Sequence, residues 1–403
     1  MERKETEHGQ SMKTRRRRVC AALSRATLRV ARAIARGKGD EVAYRLIDIE
    51  WMDPARGRAV PARLYWPRSA AVEAPVPLIV FSHGIGGSRR DYSYLGRHWA
   101  SNGYASLHVQ HVGSDNALWS GNPFGVVRRL HAAAQAHEAI DRVKDISFAL
   151  DRILDANLTE LGIGAVGPYI DRKRIIAAGH SYGANTTLLA VGARIARDGQ
   201  WLDFQDPRFT AAVVISAPPF YGEGDPASIL GRVAVPTLHI TATDDVIRIP
   251  GYHSDTTDRV ELFDAVADQR KALVIFEGGS HSMFTDRAGT GGTALNAKVK
   301  AATKELALAF FGKAFDCDRT GLAHWCEEWQ PILARIGSGT ESATQPIPAA
   351  AHTAGAARQW RHPEGLQGRI ARHVHDAQGP GQRGPARIHQ GLGRAVERAP
   401  ALR

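Results

Sequence analysis

From residue 44 onward the apolar positions alternate between two kinds of pattern. The stretches "YRLIDIEWMD" and "AVPARLYWP" flank a turn at Pro54–Gly57, which predicts an antiparallel hairpin. "VPLIVFSHG", beginning at Val76, is a short continuous apolar run closed by glycine, the mark of a strand buried on both faces. "DYSYLGRHWASNG" predicts a helix stopped at Asn102–Gly103, and "YASLHVQHVG" predicts the next strand. After a loop carrying Trp119 and Phe124, the positions Ile140, Val143, Ile146, Leu150 and Ile153 fall at helical spacing. They predict one long helix over about 130–156. Then come the strand "RIIAAGH", a helix over 182–197, the strands "AAVVISAP" and "VPTLHITATDD", a helix near 258–269, the strand "KALVIFEGG" and a helix near 294–314.

Strands alternating with helices of this length imply βαβ units. The predicted class is therefore α/β, with a mostly parallel sheet covered by helices on both faces. In such a sheet the chemistry lies at the carboxyl ends of the strands. Beyond about residue 338 the regularity stops, and Gly, Pro, Ala, Arg, Gln and His dominate with few aliphatics. Such a composition buries too little apolar surface to offset the entropy of ordering. The expected organisation is a basic N-terminal arm over 1–40, one catalytic domain over 41–338 and a disordered basic tail over 339–403.

Charge sharpens that division. The 403 residues carry a net charge of +11. Residues 1–40 hold 12 Lys/Arg against 4 Asp/Glu, and residues 354–403 hold 9 Arg against 3 acids, so residues 41–353 are left at −3. A nucleic-acid-binding domain carries its basic stripe on the folded surface, so no nucleic-acid partner is expected. The run Arg15–Arg18 resembles the charged region of an export signal, but Arg25, Arg29, Arg32 and Arg36 interrupt the stretch after it. The segment lacks an apolar signal core and suits a basic amphipathic helix. A cytoplasmic chain and an exported one both fit. No stretch approaches the about 20 apolar residues of a membrane-spanning helix. Three cysteines exclude a disulfide scaffold. Cys317 and Cys326 either form one local bridge in an exported protein or stay as two thiols. Their spacing suits no metal, and neither metal nor cofactor is expected.

The candidate chemistry sits in "IIAAGHSYGAN". Gly179 and Gly183 bracket Ser181 in the pattern G-x-S-x-G, with a strand before it and a helix after it. The serine of such an elbow sits in a strained turn, and side chains two residues away on either side would collide. A serine hydroxyl needs an adjacent base, and the base needs an orienting acid. "LHITATDDV" ends in two acids and "LVIFEGGSHSMF" ends in a histidine, each just past a strand. The expected triad is Ser181, Asp244 and His281, in the order that α/β-hydrolases use. Asp245 is the rival acid, and Asp244 is preferred as nearer the strand end. The loop His83-Gly84-Ile85-Gly86-Gly87 suits an oxyanion hole, with the N–H of Tyr182 as the second donor. His111, Trp119 and Phe124 are candidate pocket residues, each with a structural reading beside it: a backbone-bonding histidine and two core aromatics. Arg142 and Asp145 read as a structural pair on the long helix.

Together "FSHGIGGSRRDYSYLGRHWASNGYASLHVQHVGSD", "RVKDISFALDRIL", "RIIAAGHSYGA" and "SHSMF" resemble the serine α/β-hydrolases grouped with platelet-activating-factor acetylhydrolases and predicted dienelactone hydrolases. The resemblance spans about residues 44–335. It implies an α/β-hydrolase fold, triad roles for Ser181, Asp244 and His281, and oxyanion N–H groups from Ile85 and Tyr182. Dienelactone hydrolases carry cysteine where this chain has Ser181. The implied activity is carboxylic ester hydrolysis through an acyl-enzyme, on a small-molecule or lipid-like ester. A thioesterase, peptidase or acyltransferase would use the same triad, and a non-catalytic binder would use the same fold.

Overall fold

The computed structural model describes residues 43–339, apart from 69–74, 159–163, 198, 250 and 287–292. The basic N-terminal arm and the C-terminal tail expected from the sequence lie outside the described residues. Nine strands form one sheet: β1 (Tyr44–Asp53), β2 (Arg58–Pro67), β3 (Val76–Ser82), β4 (Ala105–Val109), β5 (Ile170–His180), β6 (Ala211–Ile215), β7 (Thr237–Asp244), β8 (Lys271–Ser280) and β9 (Leu333–Ser338). Their spatial order is β1-β2-β4-β3-β5-β6-β7-β8-β9. Strands β4, β3, β5, β6, β7 and β8 run parallel, while β1 and β2 at one edge and β9 at the other pair antiparallel. This is the mostly parallel sheet that the sequence pattern predicts.

The longer helices are α1 (Ser93–Ser101), α2 (Val126–Ala133), α3 (Ala136–Leu154), α4 (Tyr182–Ala190), α5 (Pro226–Leu230), α6 (Thr256–Ala265), α7 (Thr293–Ala314) and α8 (Gly321–Trp329). Alternation along the central strands divides the core in two. Leu78 and Val80 of β3 join Ala177, Ala212 and Val214 on one face, against Val143, Ile146, Leu150 and Ile153 of α3 and Leu188 of α4. Ile79 and Phe81 join Ile176, Ala178, Val213 and Ile215 on the other, against Leu95 and Trp99 of α1, Leu306 and Phe310 of α7 and Trp325 of α8. Every residue of β3 is buried, which is why it reads as an unbroken apolar run.

Several boundaries differ from the pattern. The long helix predicted over 130–156 is two helices, because Gln135 is extended (φ −70°, ψ 155°) and restarts the chain as the cap of α3. No Pro or Gly marks that break. The helix predicted over 182–197 stops at Ala190, and Gly192 (φ 122°) turns the chain into a small hairpin, Arg194–Arg197 with Gln200–Asp203. Helix α6 starts earlier than predicted because Asp255 and Asp258 form a reciprocal capping box. Strand β9 and helices α5 and α8 have no counterpart in the sequence pattern. No disulfide joins Cys317 and Cys326. Among the described residues no helix is long and apolar enough to cross a membrane.

Candidate active site

Four loops meet at the carboxyl end of the parallel strands. They come after β3, β5, β7 and β8, and the registers Ser82↔Gly179, His180↔Ile215 and Asp244↔Ser280 bring their starts level. Ser181 stands between β5 and α4 with φ 55° and ψ −124°. It is one of four non-glycine residues with positive φ among the described residues. A residue held in this region stores strain that the surroundings must impose. The flanking glycines explain how the turn closes. A Cβ on Gly179 would lie 2.2 Å from the Gly183 carbonyl oxygen, and one on Gly183 would lie 2.0 Å from the Ser82 carbonyl oxygen. Both distances are far inside contact, so the turn excludes any side chain at either position. The Ser181 N–H donates to the Ile215 carbonyl at 2.8 Å and anchors the turn to β6.

His281 opens a short 3-10 turn after β8. Its Nε2 lies 2.7 Å from Ser181 Oγ, and its Nδ1 lies 2.7 Å from Asp245 Oδ1. With Nδ1–H donating to the carboxylate, Nε2 is the bare nitrogen that accepts from the serine hydroxyl. The partner of His281 is thus Asp245, and the expectation of Asp244 is corrected. The reason lies in the strand end. The register between β7 and β8 shifts between Ala242 and Asp244, and the Asp245 N–H then turns back to the Ala242 carbonyl at 3.2 Å. The shift leaves Asp244 exposed and turns Asp245 inward. Nearness to the strand end was therefore the wrong criterion.

Asp245 is wholly buried and well supplied with donors. Its Oδ2 accepts from Ser216 Oγ and, at 2.7 Å, from Thr241 Oγ1, while Arg259 Nη2 lies 3.4 Å from Oδ1. Burial by itself pushes the carboxyl up. His281 and then Arg259 and Ser216 outweigh it, and the group is held well below the usual carboxylate range. Ser216, at the end of β6, takes a left-handed backbone (φ 52°) to deliver its hydroxyl. Its signal in the sequence was a polar residue closing the apolar run "AAVVIS".

The loop after β3 lies against the elbow: a Cβ on Gly84 would sit 3.3 Å from Ser181 Cβ. Its carbonyls are engaged outward. Gly84 O accepts from Gly87 N–H at 3.0 Å and from His83 Nδ1–H at 2.7 Å, and Gly86 O accepts from Trp119 Nε1–H at 2.7 Å. Gly86 N–H donates to Ser114 O at 2.8 Å. Gly86 has φ +69°, and a Cβ there would strike the Trp119 ring at 2.5 Å, so the indole and the glycine fit only as a pair. The N–H groups of Ile85 and Tyr182 have no acceptor among the described residues. Tyr182 is also the first residue of α4, where the helix dipole favours negative charge.

A residue pair that the sequence pattern does not single out ties these loops together. His180 Nε2–H donates to the His281 carbonyl at 3.1 Å, so its Nδ1 accepts the Tyr92 hydroxyl proton at 2.8 Å. The Tyr92 oxygen in turn accepts from Gly84 N–H at 3.3 Å. Burial, with the His281 charge adding to it, pushes His180 down to about 3, so it stays neutral. Tyr92 reaches this position from a left-handed backbone (φ 60°) ahead of α1, a feature no sequence pattern carries.

The three candidate pocket residues separate. His111 is completely buried, with Nε2 2.8 Å from Ser82 Oγ and Nδ1 3.1 Å from Asp145 Oδ2. Trp119 is 44% exposed and flanks the 84–87 loop, and Phe124 is 96% exposed, so neither is core. Arg142 and Asp145 are not bonded to each other. Asp145 bonds Arg56, Arg58 and His111, whereas Arg142 bonds Ser82, His83, Ser114 and Thr186. Among the described residues no cluster of three or more His, Cys, Asp or Glu side chains has the arrangement of a metal site.

Comparison with known proteins bears on part of this region. The family model described as platelet-activating factor acetylhydrolase, isoform II, matches residues 60–121. That stretch runs from β2 through the 84–87 loop and ends before Ser181. The platelet-activating factor acetylhydrolase of Bos taurus is 25% identical over 235 residues, covering 52% of this chain and 48% of that protein. The enzyme of the same name from Canis lupus familiaris is 27% identical over 166 residues, 35% of each chain. The chain thus spans about half, or less, of the length of these relatives. Among solved structures, a ferulic acid esterase from Streptomyces cinnamoneus aligns with a TM-score of 0.49 and 21% identity, over 69% of this chain and 92% of that one. In sequence, the chain is similar to the platelet-activating factor acetylhydrolases.

Proposed function

We propose that the protein is a serine carboxylic ester hydrolase that works through Ser181, His281 and Asp245. The observation that carries this reading is the run of two 2.7 Å contacts from Ser181 Oγ through His281 to a buried carboxylate. It starts from a serine held on a strained elbow between two obligatory glycines.

In the first half-reaction Ser181 Oγ attacks the acyl carbonyl carbon while its proton passes to His281 Nε2. Asp245 keeps Nδ1–H in place and stabilises the imidazolium that forms. The carbonyl oxygen, now carrying the negative charge, is met by the N–H groups of Ile85 and Tyr182. Collapse of the tetrahedral intermediate breaks the bond to the alcohol oxygen, which takes the proton from Nε2. In the second half-reaction Nε2 takes a proton from water as its oxygen attacks the acyl-enzyme. The Ser181 oxygen then leaves and recovers its proton from His281.

The name of the relatives makes acetyl esters the first substrates to try. With p-nitrophenyl acetate and the full chain, Ser181→Ala is expected to lower kcat by at least ~10³. A variant that hydrolyses the ester at near wild-type rate would overturn the assignment. Comparing ester, thioester and amide substrates of one acyl group separates an esterase from a thioesterase or a peptidase.

A further inference from the structure

We propose that Arg142 is a positioning residue for the oxyanion hole, holding both of its walls from behind. This inference rests on the reading of Ser181 as nucleophile and deepens it.

Arg142 lies on α3, outside the four loops that meet at the site, and is completely buried. Its guanidinium is spread over two structural units. Toward the loop after β3, Nη2 donates to the His83 carbonyl and, at 3.2 Å, to Ser82 Oγ. The His83 carbonyl belongs to the His83–Gly84 peptide, one residue ahead of the peptide that carries the Ile85 N–H, so this contact anchors the start of the loop that presents it. Toward α4, Nε donates to Thr186 Oγ1 at 3.0 Å, and the guanidinium carbon sits 4.5 Å from the centroid of the Tyr182 ring. Tyr182 supplies the other N–H, and Thr186 Oγ1 itself donates to the Tyr182 carbonyl at 3.0 Å. One rigid fork therefore ties the start of the 84–87 loop to the first turn of α4, the two segments whose separation must stay fixed as the oxyanion forms.

The distribution of charge supports the same role. Among the described residues no carboxylate lies within 4.0 Å of the Arg142 guanidinium. Its nearest acids are reached only through neutral groups. Ser114 Oγ, which accepts from Nη1 at 2.8 Å, donates to Glu138 Oε1 at 2.8 Å. Ser82 Oγ leads through His111 to Asp145. Burial of this cation lowers it to about 10, against the pull of Tyr182, Glu138 and Asp145, so it remains charged at neutral pH. A fixed positive charge behind the hole, in a water-poor setting, favours the state in which negative charge develops there. Lysine does not replace such a fork, since an ammonium offers no planar set of donors to two elements at once.

The test uses the full chain, p-nitrophenyl acetate and a trifluoromethyl ketone that mimics the tetrahedral intermediate. Arg142→Met is expected to lower kcat about 10- to 100-fold, in the range of lost oxyanion donors. KM should stay within about threefold, and the inhibition constant of the ketone should rise in proportion to the loss in kcat/KM. Arg142→Lys should fall between Met and wild type. A folded Arg142→Met enzyme with kcat within threefold of wild type would overturn the proposal, as would equal weakening of substrate and ketone. If Arg142→Met does not fold, Thr186→Val decides, since it keeps side-chain volume and removes the link from Nε through the hydroxyl to the Tyr182 carbonyl. A drop in kcat of about threefold or more at constant KM supports the proposal, and unchanged kinetics refute it. Ser181→Ala serves as the control: if it retains activity, the nucleophile assignment has failed, a result distinct from any outcome at Arg142.

Discussion

Two Ser–His–Asp chains run through the described residues, and their surroundings differ. In the first, Ser181 Oγ, His281 and Asp245 are linked by two contacts of 2.7 Å. In the second, Ser82 Oγ lies 2.8 Å from His111 Nε2, and His111 Nδ1 lies 3.1 Å from Asp145. The nitrogen roles are the same in both. The difference lies in everything around them. Ser82 is the last residue of a buried strand and is wholly buried, as are His111 and Asp145. Ser181 stands on a strained turn beside N–H groups that no described group accepts from. Asp245 is held ionised, whereas burial pushes Asp145 above the usual carboxylate range even with Arg58 and Arg56 bonded to it. Burial, with Arg142, Arg58 and Arg56 adding to it, pushes His111 far below its ordinary value. A hydrogen-bonded Ser–His–Asp chain is thus common property of a polar interior. Strain at the serine, partial exposure of its histidine and neighbouring N–H groups without an acceptor among the described residues make one of them a candidate site.

The largest expected effect breaks the comparison at the acid. Asp245→Asn should lower kcat by about 10⁴, because an amide leaves His281 in the wrong tautomer. Asp244→Asn should leave kcat within about twofold, since Asp244 is exposed and does not face His281. Equal loss in the two variants would return the acid assignment to an open choice.

The corresponding change in the closed chain should strike stability instead. Asp145→Asn leaves Arg56, Arg58 and His111 facing a neutral amide, and breaking a buried charge network costs about 3–5 kcal/mol. Denaturant unfolding should show that loss, while kcat of the folded fraction stays within about tenfold. A loss of kcat near 10⁴ with unchanged stability would mean that the second chain takes part in the chemistry.

A smaller effect comes from burial of neutral imidazoles. Burial pushes His98 down to about 4, and His108, His180 and His239 down to about 3. The folded protein therefore refuses protons that the unfolded chain accepts below about 6.5, and stability falls as pH falls. Each such histidine costs about 1.4 kcal/mol per pH unit once below 6.5. Denaturation midpoints between pH 7 and pH 5 should drop accordingly, and His239→Gln should flatten the slope by about one histidine's share. A slope unchanged by that variant would show that His239 titrates alike in both states.

Much of this was legible in the residues. Continuous apolar runs ending in Gly, Ser, Asp or His marked the parallel strands and the end that carries chemistry. The spacing of Gly179, Ser181 and Gly183 marked the elbow because sterics leave no other choice there. The choice between Asp244 and Asp245 was not legible, since it turns on a two-residue register shift after Ala242. Nor was Tyr92, which acts from a left-handed backbone that its residue type seldom adopts, while Ser216 left only a polar residue at the end of an apolar run. Arg142 read as one half of a pair with Asp145, but its actual partners lie 28 to 60 residues away in sequence. Periodicity carries no such information.

The most direct measurement is peptide mapping of the full chain after treatment with a fluorophosphonate. A covalent adduct on Ser181 alone, formed as ester hydrolysis is lost and absent from Ser181→Ala, is the predicted result. Loss of activity with the adduct on another residue, or ester turnover that persists in an unlabelled protein, would contradict it.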